Sequence, residues 1–411
     1  MRLTLLTVIT VLPLFAAAHQ RVKQGGTAIR LVPYKHSSLV NDNKSVNLEA
    51  LKSHVASTTA KILRGFDNFE KNTGAPHPSA VKGAQKRRFG AEPLYPFHNN
   101  PDNWAGTISV GTPPKTYIVL FDTGSSDLFL PGADCDDSCD GHEHYESSTS
   151  VYLGEPFMIQ FGNDENAFGY LYADNVTIVG LTANGQTLGA ASHYSRGFRI
   201  DQFDPDGLMG MGFQSISRYN QNPVFQTLVT QGQTDQPVFA FRFAAHEGEL
   251  YIGGTNPDMY IGAFSWAYVI QPGFWEVTMD NILGNGKIVL INIAVMLDTG
   301  TDLIHGDPLD VEAFYEAIGG TADFDEDRRF FNFPCNAIPS ISLTFGGISF
   351  PIPPDTFSLG ALPNDPSSCI GAIISRLGNP MRTWIIGRVF LRHVYTAFDF
   401  GNSRVGFATL A

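Results

Sequence analysis

Two short stretches, IVLFDTGSS (118–126) and AVMLDTGTD (294–302), decide how this chain folds. In each, an apolar run ends in Asp-Thr-Gly followed by a hydroxyl residue, Ser125 or Thr301. Each is answered downstream by two apolar residues and a glycine. DGLMG ends at Gly210, 88 residues after Asp122, and TWIIG ends at Gly387, 89 residues after Asp298. A lone Asp-Thr-Gly arises by chance, but two in the same hydrophobic frame with matching sequels do not. The chain reads as a duplicated half, each copy delivering one aspartate.

The chemistry follows from that pairing. A strand buried on both faces carries its terminal Asp into a protected cleft. Thr-Gly then turns the chain, glycine being expected there for its backbone freedom. Ser125 and Thr301 are placed to hydrogen-bond the outer carboxylate oxygens, and Thr123 and Thr299 to tie the two turns together, with Gly124 and Gly300 beside them. Two carboxylates sharing one site cannot both ionise, so one proton stays over a wide acidic range. The ionised partner is then a general base toward water, and the protonated one polarises an amide carbonyl. That step calls for no metal, cofactor or covalent intermediate.

The rest of the body is strand-like: TISVG, KTYIVLF, PFMIQF, VTIVG, PVFAFRF, ELYIGG, KIVLINIAVML, SISLTFGG, TAFDF and RVGFA, closed by Gly, Pro, Asn or Asp. Helical patterns are few, and DVEAFYEAIGG (310–320) is the best of them. The fold class expected is all-β.

The chain opens with Arg2, an apolar run interrupted by Pro13, and Ala16–Ala18, the three parts of a secretory signal over 1–18. Residues 19–88 hold 13 Lys/Arg against 4 Asp/Glu, a net +9, whereas 89–411 carry a net −23. A basic segment tethered to an acidic body reads as an electrostatic cover, and Lys86-Arg87-Arg88 at the border reads as a processing site in a linker. The basic arm lacks aromatic interleaving and follows an export signal, so nucleic acid is not expected as a partner. Nor is a membrane once the signal is gone. Cys135, Cys139, Cys335 and Cys369 are an even set in an exported chain, which implies two disulfides with three possible connectivities.

At these residues the chain resembles the pepsin family of eukaryotic aspartic proteases. NWAGTISVGTPPKTYIVLFDTGSSDLFLP, GFWEVTMD (273–280), LDTGTDLIHGDP (297–308) and TWIIGRVFLRHVYTAFDFGNSRVGFA (383–408) carry the likeness. The resemblance implies a bilobal double β-barrel with an interlobe cleft, an N-terminal lobe over 89–265 and a C-terminal lobe over 266–411. It implies Cys135–Cys139 and Cys335–Cys369 pairing, a propeptide over 19–88, and hydrolysis of internal bonds in polypeptides. Family zymogens also place a lysine in the cleft, and Lys35 in IRLVPYKHSS is the candidate here. A monomer, secreted or held in a vacuolar lumen, is expected.

Four departures from the family pattern stand out. Phe161, beside Gly162, occupies the position of the flap tyrosine, and Phe129 that of its tryptophan partner, so both ends of one hydrogen bond are apolar together. Asn163, Asp164 and Glu165 make the flap tip acidic. Asp302 puts a further carboxylate near the dyad, and Arg388 follows Gly387, where it is expected to neutralise Asp302. Leu120, Phe198, Phe203 and Leu208 are candidates, with Phe161, for lining a pocket for bulky side chains, and Asn175-Val-Thr is a candidate glycan site.

Two rivals remain. One keeps the fold and uses the cleft as a peptide-binding or inhibitor groove, motivated by Phe161 and Phe129. The other is a zinc-like set, Cys135, Cys139, His142 and His144. If 19–88 is a cover held by charge, acidification releases it, and N-terminal sequencing of the acidified protein should begin near Phe89. A chain that still begins near His19 contradicts this reading.

Overall fold

The computed structural model describes residues 26–34, 39–41, 43–80, 103–160, 166–244, 248–322, 329–376 and 382–411. In chain order its first strands are β1 (Thr27–Tyr34), β2 (Asn103–Val110), β3 (Lys115–Asp122), β4 (Leu128–Pro131), β5 (Val151–Gln160), β6 (Asn166–Ile178), β7 (Leu181–Tyr194) and β8 (Gly207–Gly210). β2, β3, β8, β4, β7 and β6 are neighbours in that order, and β2 pairs back onto β6, closing a barrel. In β3 the first half alternates between exposed and buried residues while Val119 to Asp122 are all buried. The apolar run before Asp122 is thus covered on both faces where it reaches the aspartate.

The second half repeats the device. β12 (Glu276–Gly284), β13 (Lys287–Leu297) and β14 (Ile304–Gly306) belong to a seven-stranded sheet with Trp384–Ile386 between β13 and β14. β8 runs parallel to β3 and antiparallel to β4; Trp384–Ile386 runs parallel to β13 and antiparallel to β14. The two echoed sequence elements therefore stand beside their own Asp-Thr-Gly turns. The glycines ending them have a steric reason. A Cβ at Gly210 would collide with the backbone of Ser126 and Asp127, and one at Gly387 with the carbonyls of Thr301 and Leu303.

A platform joins the halves: β9 (Val238–Arg242), β10 (Gly248–Ile252), β11 (Tyr260–Tyr268), and the strands Val394–Asp399 and Arg404–Leu410. β1 extends it, pairing β10 through Thr27–Leu31 and β2 through Val32–Tyr34, so the N-terminal segment links platform to barrel. The lobe division expected at 265/266 falls inside β11. Both local disulfides are formed, Cys135–Cys139 and Cys335–Cys369.

The expected helix is present as Pro308–Ile318, capped by Asp307 and by Gly319 in the left-handed region. The larger helix was not expected. α1 (Leu48–Thr73) runs for 26 residues between an Asn47 cap, whose side chain accepts from Ala50 N, and Gly74. Its buried positions include Leu51, Val55, Ile62, Phe66 and Phe69, at helical spacing, but also Thr58, Thr59, Lys61 and Gly65. Polar residues in the middle of the buried face weaken the apolar periodicity by which such a helix is recognised.

Gly65 lets α1 lie against Phe274, whose ring would overlap a Cβ there. Gly65→Ala is expected to loosen α1 by about 1–3 kcal/mol through overpacking, despite alanine's better helix propensity. Faster amide hydrogen exchange across 48–73 would report it, and unchanged protection would refute it.

Candidate active site

Asp122 and Asp298 stand at the ends of β3 and β13, 1% and 0% exposed. The turns after them are locked by four reciprocal hydrogen bonds. Thr123 N donates to Thr299 Oγ1 and Thr299 N to Thr123 Oγ1, both at 3.0 Å. Thr123 Oγ1 in turn donates to Leu297 O at 2.8 Å, and Thr299 Oγ1 to Phe121 O at 2.7 Å. Each hydroxyl donates once and accepts once across the interface between halves, so neither turn can shift without breaking bonds on both sides.

Each carboxylate is held in the same way. Gly124 N donates to Asp122 Oδ1 (3.0 Å) and Gly300 N to Asp298 Oδ1 (2.9 Å). Ser125 Oγ donates to Asp122 Oδ2 (2.6 Å) and Thr301 Oγ1 to Asp298 Oδ2 (2.7 Å). Neither turn glycine has a positive φ, which corrects the expectation of special backbone freedom. The reason is space. A Cβ on Gly124 would come within 2.6 Å of Asp298 Oδ2, and one on Gly300 would strike Asp122 Oδ1. Each carboxylate packs over the other turn's glycine.

The eukaryotic aspartyl protease family matches residues 103–410. The chain is 35% identical over 331 residues to an aspartic protease of Phaffia rhodozyma, covering 79% of this chain and 80% of that one. It is 34% identical to cathepsin E of Aquarana catesbeiana (74% and 78% covered) and 33% identical to gastricsin of Homo sapiens (80% and 87%). The chain belongs to the eukaryotic aspartyl protease family. It is an aspartic endopeptidase, and polypeptides are its substrates.

In this protease the cleft is occupied by its own N-terminal segment. Lys61 of α1 places Nζ 3.1 Å from Asp122 Oδ1, 2.9 Å from Asp298 Oδ1 and 2.8 Å from Asp298 Oδ2. Lys61 is thus a lysine that the structure places in the cleft; the expected Lys35 lies outside the described residues. Burial works against a charged Lys61, but the charges of Asp122 and Asp298 outweigh it and raise its pKa. Burial also pushes Asp122 upward, but the Lys61 charge and the Ser125 hydrogen bond prevail and hold it below the usual carboxylate range. For Asp298 burial wins over Lys61, the Asp122 charge adds to it, and the pKa rises to about 6. Of the two, Asp298 is the one that takes up a proton first as pH falls.

Other contacts fasten the segment. Asn68 Nδ2 donates to Ile216 O (3.1 Å) and Asn72 Nδ2 to Ser217 O (2.7 Å). The receiving loop is anchored by buried Asp127, which accepts from Ser217 Oγ (2.6 Å) and Arg218 N (2.7 Å); burial raises Asp127 to about 6 against these bonds. Past α1, His77 is buried among Phe66, Phe69 and Phe274, with Nε2 3.8 Å from the fully buried Glu276. Glu276 also accepts from Ser79 Oγ (2.6 Å) and Thr383 Oγ1 (2.7 Å). Lys61, Asn68, Asn72, His77, Asp127 and Glu276 all escaped sequence reasoning. The helical spacing of Leu51, Val55, Ile62, Phe66 and Phe69 is the signal that would have found the first.

Of the remaining expected residues, Arg388 does meet Asp302: Nε donates to Oδ1 at 3.0 Å and Nη2 to the same oxygen, while Nη1 holds Thr299 O at 2.7 Å. Phe129, fully buried, packs edge-on against Tyr194 and Phe198. With Leu120, Phe203 and Leu208 it belongs to one buried apolar cluster. Phe161, Gly162, Asn163 and Asp164 lie outside the described residues, as do Glu165 and Lys86-Arg87-Arg88. Asn175 is half-buried in β6, its Oδ1 accepting from Gly185 N at 3.2 Å. Cys135 is bonded to Cys139, so the zinc-like set has no thiolate to offer.

His77 gives a signed pH dependence. Burial lowers its pKa below 6.5 against the raising charge of Glu276. Its docking contribution is complete above the ordinary value and is lost as pH falls below it, because release lets the ring take a proton. His77→Phe, which does not titrate, should carry docking to lower pH. Hydrogen exchange of α1 between about pH 7 and 4, corrected for intrinsic rates, should show its midpoint moved downward. A midpoint that is unmoved or higher contradicts the sign.

Proposed function

We propose that this endopeptidase is exported as an inactive precursor, that residues 19–88 are its propeptide, and that it hydrolyses internal peptide bonds in acid once they leave. In this reading Asp122 and Asp298 are the catalytic dyad. The observation that carries it is the placement of Lys61 Nζ within 3.1 Å of both carboxylates. A cation equidistant from two buried acids marks the point where a water bridging them would lie after the segment has gone. One carboxylate of the pair then draws a proton from that water, while its protonated partner polarises the scissile carbonyl. Ser125, Thr301, Gly124 and Gly300 orient the carboxylates, and Thr123 and Thr299 fix their separation.

The precursor reading is supported by the position of the segment. The α1 segment precedes the family match at 103, and with His77 just beyond it carries the Lys61 and His77 contacts and sets Lys61 where a polypeptide would have to meet the two aspartates. Export is supported by the signal-like opening and two disulfides. Among the described residues no helix is long and apolar enough to cross a membrane.

Hydrolysis of a denatured protein between about pH 3 and 6, the acidic range of a shared-proton pair, tests this. Asp122→Asn and Asp298→Asn should each lower the rate by roughly 10²–10⁴-fold, the usual worth of a general acid or base. Full activity in either variant would remove the dyad. No cleavage by correctly processed wild type would leave the cleft as a peptide-binding groove.

A further inference from the structure

Beside the dyad, the cleft holds a second polar seat whose present occupant is a side chain of α1. His54 precedes Lys61 by seven residues, two helical turns, and so projects from nearly the same face. Its Nδ1 lies 3.9 Å from Asp302 Oδ2. Its ring centroid is 5.4 Å from that of His305, which is fully buried and has neither ring nitrogen in a hydrogen bond among the described residues. Asp302 is 19% exposed and held from behind: Arg388 grips Oδ1, so Oδ2 is the oxygen turned toward α1. The segment therefore lays two basic side chains into the cleft, one on the dyad and one on Asp302.

We infer that Asp302 and His305 form a specificity subsite that takes a basic side chain of the substrate, with Arg388 as the residue that positions Asp302. The inference rests on the peptidase reading above. A cleft ligand supplied by the chain itself shows which chemistry each part of the cleft accepts. Where His54 sits, an incoming Lys or Arg finds a carboxylate oxygen and an imidazole with unused hydrogen-bonding capacity. An acidic side chain would meet Asp302 as a like charge, and an apolar one would offer the His305 ring nitrogens no hydrogen bond.

Seven residues of α-helix span about 10.5 Å, and three residues of extended chain cover about the same distance. The basic side chain is thus expected three positions from the residue lying over the dyad, on one side of the scissile bond only.

The test uses the processed protease with peptides carrying Lys, Gln or Glu singly at each position up to four residues either side of one scissile bond. At the subsite position kcat/KM should favour Lys over Gln by about tenfold, the least that a charge-assisted hydrogen bond is worth, and should disfavour Glu. Asp302→Asn keeps the shape and an acceptor for Arg388, and should bring the Lys:Gln ratio to about 1 whatever the absolute rate. Arg388→Met leaves Asp302 free to turn away from the subsite and should lower the ratio, though less than Asp302→Asn does. Both readouts are ratios within one enzyme, so partial loss of fold does not mimic them. Cleavage with no positional preference for Lys, or a preference that survives Asp302→Asn, overturns the subsite and leaves the peptidase reading standing. If wild type cleaves none of the peptides, it is the peptidase reading that fails.

Discussion

Two carboxylates with essentially no solvent exposure and one ammonium between them set the terms for this molecule. Like charges in a dry cleft repel strongly, and each has lost its hydration. A buried acid pair persists only if it gives up charge, gains hydrogen bonds or meets a cation. Here the last two occur, since each carboxylate accepts from a turn N–H and a hydroxyl and Lys61 sits against both, and burial raises Asp298 toward the first. Much of the surrounding structure follows from holding these atoms in place. The threonine exchange keeps the separation from relaxing, and the glycines let each carboxylate lie over the opposite turn.

The same requirement shapes α1. To bring Nζ to the pair the helix must lie deep between the halves, which Gly65 permits against Phe274. Its buried face must then be polar at the centre and apolar at the ends, with Leu51 and Val55 on one side of Lys61 and Phe66 and Phe69 on the other. Breaking a buried ion pair by removing one partner is costly, so the segment is held by what it neutralises as much as by what it packs on. His77 and Glu276 set a second buried polar contact at its far end.

The two halves share a backbone plan but differ in charge. Four residues after Asp122 stands Ser126, whose Oγ donates to Phe213 O at 2.7 Å. Four residues after Asp298 stands Asp302, paired with Arg388. One side of the cleft is thus closed by a neutral hydrogen bond and the other by an ion pair with an oxygen turned toward α1. Duplication supplied the symmetric scaffold that two aspartates need, and divergence at single positions supplied a cleft with two unlike sides.

The sequence by itself determined the duplicated turns, the two aspartates and their threonine, glycine and hydroxyl neighbours, the strands and the helix 308–318. These are local patterns, in which a few adjacent residues carry the whole physical signal. It also placed Arg388 beside Asp302, because charge complementarity between two departures from one pattern is visible without coordinates. Only the tertiary structure decided that Lys61 lies in the cleft, that α1 exists at its full length, and that Gly124 and Gly300 are glycines for space and not for φ. The reason is one of distance. Lys61 is matched to groups 61 and 237 residues away, and a helix whose inner face is complementary to two remote carboxylates carries polar residues that weaken the apolar stripe announcing it.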